Sequence, residues 1–498
     1  MDFRRTTLVL LTSSLLLVRS SAQTEPNPAQ PESTVPVPAS GQQTPPAPAP
    51  ALGPANPSVM NVENPPISGF DQASLEPNLQ PRSMLTGGVL AGESLDTNVN
   101  NEQNGSSSTG VHSVTRLLGG LTARRLWSRY DFAGAYVGGV GIYPGPSVRN
   151  IQELQAAQSM NWKTGRVMIM DSFSYLPEGS FGSGAFGGGT GYQPGLGGAG
   201  DVGGLPGLGV GSHYGVNSST QFGSLGQSPR ITNVALVDVV EEISPRSAFT
   251  AAGLFGVVHF TDGNPIGLIN SNQLGGEAGY SYAITRHQQL GVIYGYSGFR
   301  YPSGVGADDI DSHLVQALYG RRISGRMDFV AGAGPQWTVI RPQALNTSGS
   351  SGSTRLSASA RVSFRYQFRR AALQLGYRRL DNAGSGFFAG AQSDVVEASA
   401  SRELARRWLG RVDTGYSHSK RLQLASQGVP AGSFDYVFAG CTVSREFNRN
   451  IGAFVSYQYH QQVLNELQCA PGTKCDNLST RHVVTFGVGW HFRPIRLD

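Results

Sequence analysis

The chain has 498 residues, of which 14% are charged and 66 are glycine, and it carries a formal net charge of +5. Soluble globular proteins hold roughly 25% charged residues and about 7% glycine, so this composition excludes an ordinary cytosolic enzyme. The small positive charge gives no basis for nucleic-acid binding, and three cysteines exclude a disulfide-dense mini-protein or a zinc-finger array.

Residues 1–22 read as a secretory signal peptide. Arg4 and Arg5 precede a short apolar core from Leu8 to Val18, and Ser20, Ser21 and Ala22 supply small residues for cleavage. Residues 23–66 hold 13 of the chain's 29 prolines. Such a segment buries too little apolar surface to offset the entropy of ordering it, and it is expected to be a disordered tether. Residues 67–124 stay polar, with an Asn- and Ser-rich run from residue 98, and read as a low-complexity linker.

From about residue 125 the hydrophobic period is two. Val362, Phe364, Tyr366 and Phe368 share one face, and Arg361, Ser363, Arg365 and Gln367 the other. At the end of the chain Val484, Phe486, Val488, Trp490 and Phe492 alternate with Thr485, Gly487, Gly489 and His491. Connections alternate in length. Short turns carry an arginine (Arg166, Arg246, Arg286, Arg326, Arg369, Arg406, Arg449), and between them lie longer loops rich in Gly, Ser and Asn. The longest, 178–229, contains Gly182, Gly184 and Gly187 in GxGxxG spacing. Further glycines follow where a dinucleotide site needs a helix, so the segment reads as an extracellular loop.

Alternating faces with short turns at one end and long loops at the other predict an all-β fold, a transmembrane antiparallel β-barrel over 125–492. A closed barrel pairs every backbone donor and acceptor in hydrocarbon. The segments count to about sixteen strands, with fourteen as the alternative, and 493–498 form a C-terminal tail. Aromatics near strand ends (Trp162, Tyr175, Phe299, Tyr301, Trp337, Trp408, Trp490, Phe492) suit interfacial girdles.

With the apolar face outside, Arg361, Arg365, Arg378, Glu397, Arg411 and Asp413 fall on the lumenal face as candidate pore-lining residues, where charge tunes which solutes pass. Glu397, Arg411 and Asp413 sit on adjacent strands and suit a structural brace. Arg361, Arg365 and Arg378 have no evident acid partner and suit a cationic strip favouring anions. Cys469 and Cys475 flank a Pro-Gly turn in the last long loop and are expected to form a disulfide. Cys441 reads as a small apolar residue on an outward strand face. His418, His460 and Asp381 fall near the loop rim. The nine histidines are dispersed, and no catalytic motif, metal site or cofactor site is read from the sequence.

The pattern resembles the bacterial outer-membrane β-barrel class and by strand count is similar to the general porins. The segment His482 to Phe492 resembles the C-terminal assembly signal of that class, although six residues follow it. More narrowly, the chain resembles barrels associated with exopolysaccharide or exosortase systems. The resemblance implies an outer-membrane location with both termini in the periplasm, and contact with outer-membrane lipid and the barrel-assembly machinery. It also implies periplasmic or cell-wall contact through the tether, and a homo-oligomer. The function it implies is a porin-like channel for small polar or anionic solutes. The alternative is a surface structural or interaction barrel, or a polysaccharide-export partner, with a plugged lumen.

Overall fold

The computed structural model describes residues 83–497 apart from 100–109, 146, 177–228, 262–268, 286, 303–307, 325, 342–351, 369–370, 385–388, 406, 423–431, 449, 466–477 and 494. The expected signal peptide, the Pro-rich tether, nearly all of the Gly-rich loop and the Cys469/Cys475 pair lie outside the described residues.

The described chain is almost entirely strand. In order the strands are β1 (Met84–Asp96), β2 (His112–Leu126), β3 (Tyr130–Tyr143), β4 (Ser147–Asn161), β5 (Gly165–Leu176) and β6 (Arg230–Ser244). Then follow β7 (Ser247–Phe260), β8 (Ser271–Thr285), β9 (Gln288–Arg300), β10 (Asp309–Ser324), β11 (Met327–Arg341) and β12 (Ser353–Gln367). The last are β13 (Ala371–Asn382), β14 (Ala391–Ala405), β15 (Trp408–Arg421), β16 (Ser433–Glu446), β17 (Ile451–Asn465), β18 (Leu478–His491) and the two-residue β19 (Ile495–Arg496). Each long strand pairs antiparallel with its neighbours in sequence, and β18 pairs with β1 from Val483↔Asp96 to His491↔Gly88. The sheet is therefore a closed barrel of eighteen long strands.

Eighteen replaces the expected sixteen, and equally the alternative of fourteen. The two additional strands, β1 and all but the last two residues of β2, fall inside 67–124, which the sequence presents as a linker, so the barrel begins at Met84. Their alternation is blurred because both of their faces carry leucine and valine. Val89 and Leu117 point outward and are exposed, whereas Leu90 and Leu118 point inward and are buried. Leu90 and Leu118 pack with Val137, Ile151, Phe454 and Val483 in an apolar cluster on the inner wall. The C-terminal tail also meets the start of the barrel. Ile495 and Arg496 pair with Leu85 and Met84, and the Leu497 amide donates to the Ser83 carbonyl at 3.2 Å.

An even strand number places both barrel ends on one rim, with the short connections 127–129, 162–164, 245–246, 286–287, 325–326, 368–370, 406–407 and 447–450. We call this the turn rim and the opposite end the loop rim. Turn hydrogen bonds such as Trp162 N–H to the Gly165 carbonyl (2.9 Å) and Phe368 N–H to the Ala371 carbonyl (2.7 Å) close it tightly. Arginines there cover aromatic faces: Arg125 lies 5.1 Å from the Trp127 ring and Arg445 lies 5.1 Å from Trp408. Rings with polar tips beside cations suit the lipid headgroup layer.

The outer surface is apolar and exposed, as in Val484, Phe486, Val488 and Trp490 along β18 and Leu290, Val292 and Tyr294 along β9. Ser94, Arg116, Gln316, Ser417, Ser419 and Thr485 occupy the inner face and are buried. Apolar outside and polar inside inverts a soluble protein and is the arrangement of a barrel that spans a bilayer. Strands of 12 to 16 residues exceed the roughly 9–11 tilted residues a bilayer core requires.

The closing junction carries a buried polar network. Arg481 Nε donates to both Asp96 carboxylate oxygens at 3.0 Å, and its Nη2 also bonds Asp96. Ser94 and Thr485 share a 2.9 Å hydroxyl bond, and Arg116 donates to Ser94 at 2.7 Å. Asn98 donates to Ser479 and to the Thr480 carbonyl. These side chains tie the first long strand to the last, some 385 residues apart in sequence.

Candidate functional site

Arg361 on β12 and Arg378 on β13 face one another in the strand ladder. Both are on the inner face and largely enclosed, with Arg378 only 7% exposed. Two guanidinium groups side by side repel unless an anion or an acid lies near. Arg361 Nε donates to Gln316 of β10 at 2.8 Å, and its Nη2 lies 3.9 Å from the Glu277 carboxylate of β8. Glu277 supplies the acid partner for Arg361 that was not evident from sequence. It is 84 positions upstream, on β8, and reaches Arg361 across β9, β10 and β11 on the inner wall. Ser312, Gln316, Gln336, Glu277, Arg361 and Arg378 line one pocket on the inner wall. It offers charged and amide donors in a partly desolvated setting, which suits a carboxylate or another small oxyanion.

Asp381 lies at the loop-side margin of this pocket. Ser312 of β10 donates to its Oδ2 at 3.0 Å, Thr338 of β11 also bonds Oδ2, and Gln392 of β14 reaches Oδ1 at 3.4 Å. Gln336 in turn donates to Ser312 at 2.8 Å. The end of β13 therefore lies against the inner faces of β10 and β11, past β12. The segment that follows continues inward. Ala389 packs with Phe299, Tyr301, Ile310, Ile340 and Leu422, and Tyr301 donates to the Ala383 carbonyl at 3.3 Å. Phe299 and Tyr301, expected in an outer girdle, are buried here at 0% and 1% exposure. Phe299 falls on the inward phase of β9, and the returning segment covers both rings.

Gly390 makes this return possible. Its φ is +80°, and a Cβ there would lie 2.1 Å from Ile310 Cδ1. Its carbonyl accepts from the Leu422 amide at 3.1 Å. Gly390→Ala is expected to cost about 1–3 kcal/mol, from the left-handed backbone and the clash together. Faster hydrogen exchange at the Leu422 amide, read against unchanged exchange at the turn rim, checks it.

The other candidate pore residues are placed by register. Arg365 stands opposite Gln374, Glu397 opposite Gly376 and Gly415, Arg411 opposite Ser401 and Thr442, and Asp413 opposite Ser399 and Gly440. Their side chains lie outside the described part of the structure. Cys441 is exposed on the outer wall. His418, His460 and Asp381 are not brought together. His418 Nδ1 lies 2.6 Å from Asp435 on the outer side, whereas His460 is buried inside, 2.6 Å from the Tyr436 hydroxyl.

The outer wall near the loop rim carries a row of tyrosines whose hydroxyls reach the next strand. Tyr296 donates to Asp311, Tyr377 to Asp394 and Tyr416 to Asp435 at 2.8, 2.8 and 2.7 Å. Tyr457 meets His482 at 2.9 Å, and His313 stacks on Trp337 with centroids 5.7 Å apart. The sequence shows these tyrosines as outward residues, but their acidic partners become visible only with the register. The row marks the upper edge of the apolar belt, where a ring can lie in lipid while its hydroxyl meets a polar group.

No protein-family model matches the chain, and no curated protein matches it. Among solved structures it is similar to Pseudomonas aeruginosa OpdL, at 10% identity and a TM-score of 0.39, covering 82% of this chain and 98% of that one. It is similar to OccK5 (OpdH) of the same organism, at 13% identity and a TM-score of 0.39, covering 83% and 98%. It is also similar to the outer-membrane protein OpdK of that organism, at 10% identity and a TM-score of 0.35, covering 82% and 98%.

Proposed function

We infer that this chain is a bacterial outer-membrane channel for small polar or anionic solutes. The observation that carries the reading is the Arg361–Arg378 ladder pair, enclosed in a polar pocket on the inner face of a barrel whose outer face is apolar. A wall of this kind seals itself in lipid, and its inner charges select what passes. The channel lies with its turn rim and both barrel ends toward the periplasm, where a secreted chain arrives, and with its long loops outside. The N-terminal segment extends on the periplasmic side as a tether toward envelope components. The protein acts as a conduit rather than an enzyme.

The test is single-channel recording of the purified, refolded protein in a planar bilayer under a salt gradient. Stable open steps with an anion-biased reversal potential are expected. A folded barrel that conducts nothing overturns the channel.

A further inference from the structure

We propose that the wall between β12 and β13 is a lateral entry through which an amphipathic anion, a long-chain carboxylate in class, reaches Arg361 and Arg378 from the outer leaflet of the membrane. The proposal rests on the reading of those arginines as an anion site and adds the route and the class of ligand.

The first observation is the ladder. β12 and β13 share eight cross-strand pairs, from Gln367↔Ala372 to Ala360↔Arg379. Beyond Ala360, β12 runs on from Ser359 to Ser353 paired only with β11, from Gly334 to Ile340. Beyond Arg379, β13 runs on through Leu380, Asp381 and Asn382 paired only with β14. Among the described residues, no backbone hydrogen bond joins the two strands across this upper half. A barrel wall in lipid normally pairs every backbone group, so the break weakens the wall at this place.

The second observation is what holds the seam instead. From β12, Arg355 Nη2 reaches Gln392 Oε1 of β14 at 3.3 Å, and on the inner side Asp381 of β13 accepts from Ser312 of β10 at 3.0 Å and from Thr338 of β11. These are a few side-chain bonds, the one from β12 long, in place of a continuous backbone ladder. Near the loop rim Phe299, Tyr301, Ile310, Ile340, Ala389 and Leu422 form a buried apolar cluster. Opening it exposes several large apolar side chains to water, at about 1.5–3 kcal/mol for each one fully exposed. Parting the seam exchanges a few polar contacts for others. Parting the seam therefore costs less than opening that cluster.

The third observation is depth. Leu356 pairs with Trp337, and Trp337 pairs with His313, so the unzipped half of β12 spans the level of the tyrosine girdle. The seam thus opens at the headgroup–acyl boundary. Ala360, Arg361, Arg378, Arg379 and Leu380, which flank its lower end, also line the pocket. A ligand entering here comes from the membrane interface, and the arginines bind its anionic end. A carboxylate head with an acyl tail satisfies both.

The experiment uses Arg355→Cys with Gln392→Cys in a background where Cys441, Cys469 and Cys475 are serine, bridged by a short bis-maleimide. The barrel is reconstituted in a planar bilayer. Dodecanoate added on the loop side is read as block of chloride current, and butyrate current is read in parallel. Bridging is expected to weaken dodecanoate block by about tenfold or more, equivalent to about 1.4 kcal/mol, while butyrate current stays unchanged. Equal block before and after bridging overturns the lateral route and leaves the anion site standing. Absence of any dodecanoate block in the unbridged protein, with anion-selective current present, overturns the ligand class. Current without anion bias overturns the underlying anion site itself. Should the bridged protein fail to fold, Gln392→Ala serves in its place. It loosens the seam and is expected to speed the onset of block several-fold, and an unchanged onset counts against the route.

Discussion

Replacing Arg481 with methionine is expected to destabilise the barrel by about 3–5 kcal/mol, the usual consequence of removing one member of a buried ion pair. Arg481 and Asp96 are each about 1% exposed, and they join the last long strand to the first. The loss comes mainly from Asp96, whose charge stays buried with its guanidinium partner gone. Ser94, Thr485 and Arg116 adjoin the pair but cannot replace a bidentate donor. The effect has a particular form because this junction closes the cylinder. The other long-strand pairs join consecutive segments and re-form locally, whereas β1 and β18 must find one another across the whole chain. Refolding into detergent or lipid, followed by the shift in electrophoretic mobility on heating, is expected to show a lower unfolding temperature and slower closure. The double variant Asp96→Leu with Arg481→Met separates charge from packing. Removal of both charges is expected to recover most of the loss. A double variant as unstable as the single one assigns the effect to lost packing instead.

The fold class was legible because lipid outside and polar groups inside impose a period of two along every strand, as in Val362 to Phe368 and Val484 to Phe492. The strand number was less legible where that physics is locally relaxed. β1 and β2 carry leucine and valine on both faces, since Leu90 and Leu118 feed an apolar cluster inside the wall. Phe299 and Tyr301 misled for a related reason. An aromatic near a strand end fits a girdle, but strand phase and packing against Ala383 and Ala389 bury these two. At the site, Arg361 and Arg378 stood out from the inner phase of one hairpin. Glu277 and Gln316 did not, because they reach the site from β8 and β10, distant in the chain. The break in the β12–β13 ladder left no mark in composition. It follows from where β13 turns inward, and Asp381, an acid among strand residues with hydroxyl partners on β10 and β11, is its one local trace.

Neutralising Arg361 and Arg378 together, as Arg361→Gln with Arg378→Gln, is expected to lower the anion-to-cation permeability ratio by about tenfold. A unit charge acting on a passing ion at ~6 Å contributes about 3 kcal/mol at an effective dielectric constant near 20, and salt and lumenal water reduce that to about half. The reversal potential under a salt gradient should move toward zero, and the shift should be smaller at high ionic strength. Glu277→Gln provides the opposite sign. Its carboxylate lies 3.9 Å from Arg361 and offsets part of the positive field. Its neutralisation is expected to raise anion preference while Arg361 keeps its bond to Gln316. Opposed shifts from the two variants require that the pocket acts through its field on permeating ions. Shifts of the same sign show that the side chains serve the shape of the wall, because removing either half of a structural pair distorts it alike. The comparison therefore tests the electrostatic role of the pocket independently of how much current the barrel carries.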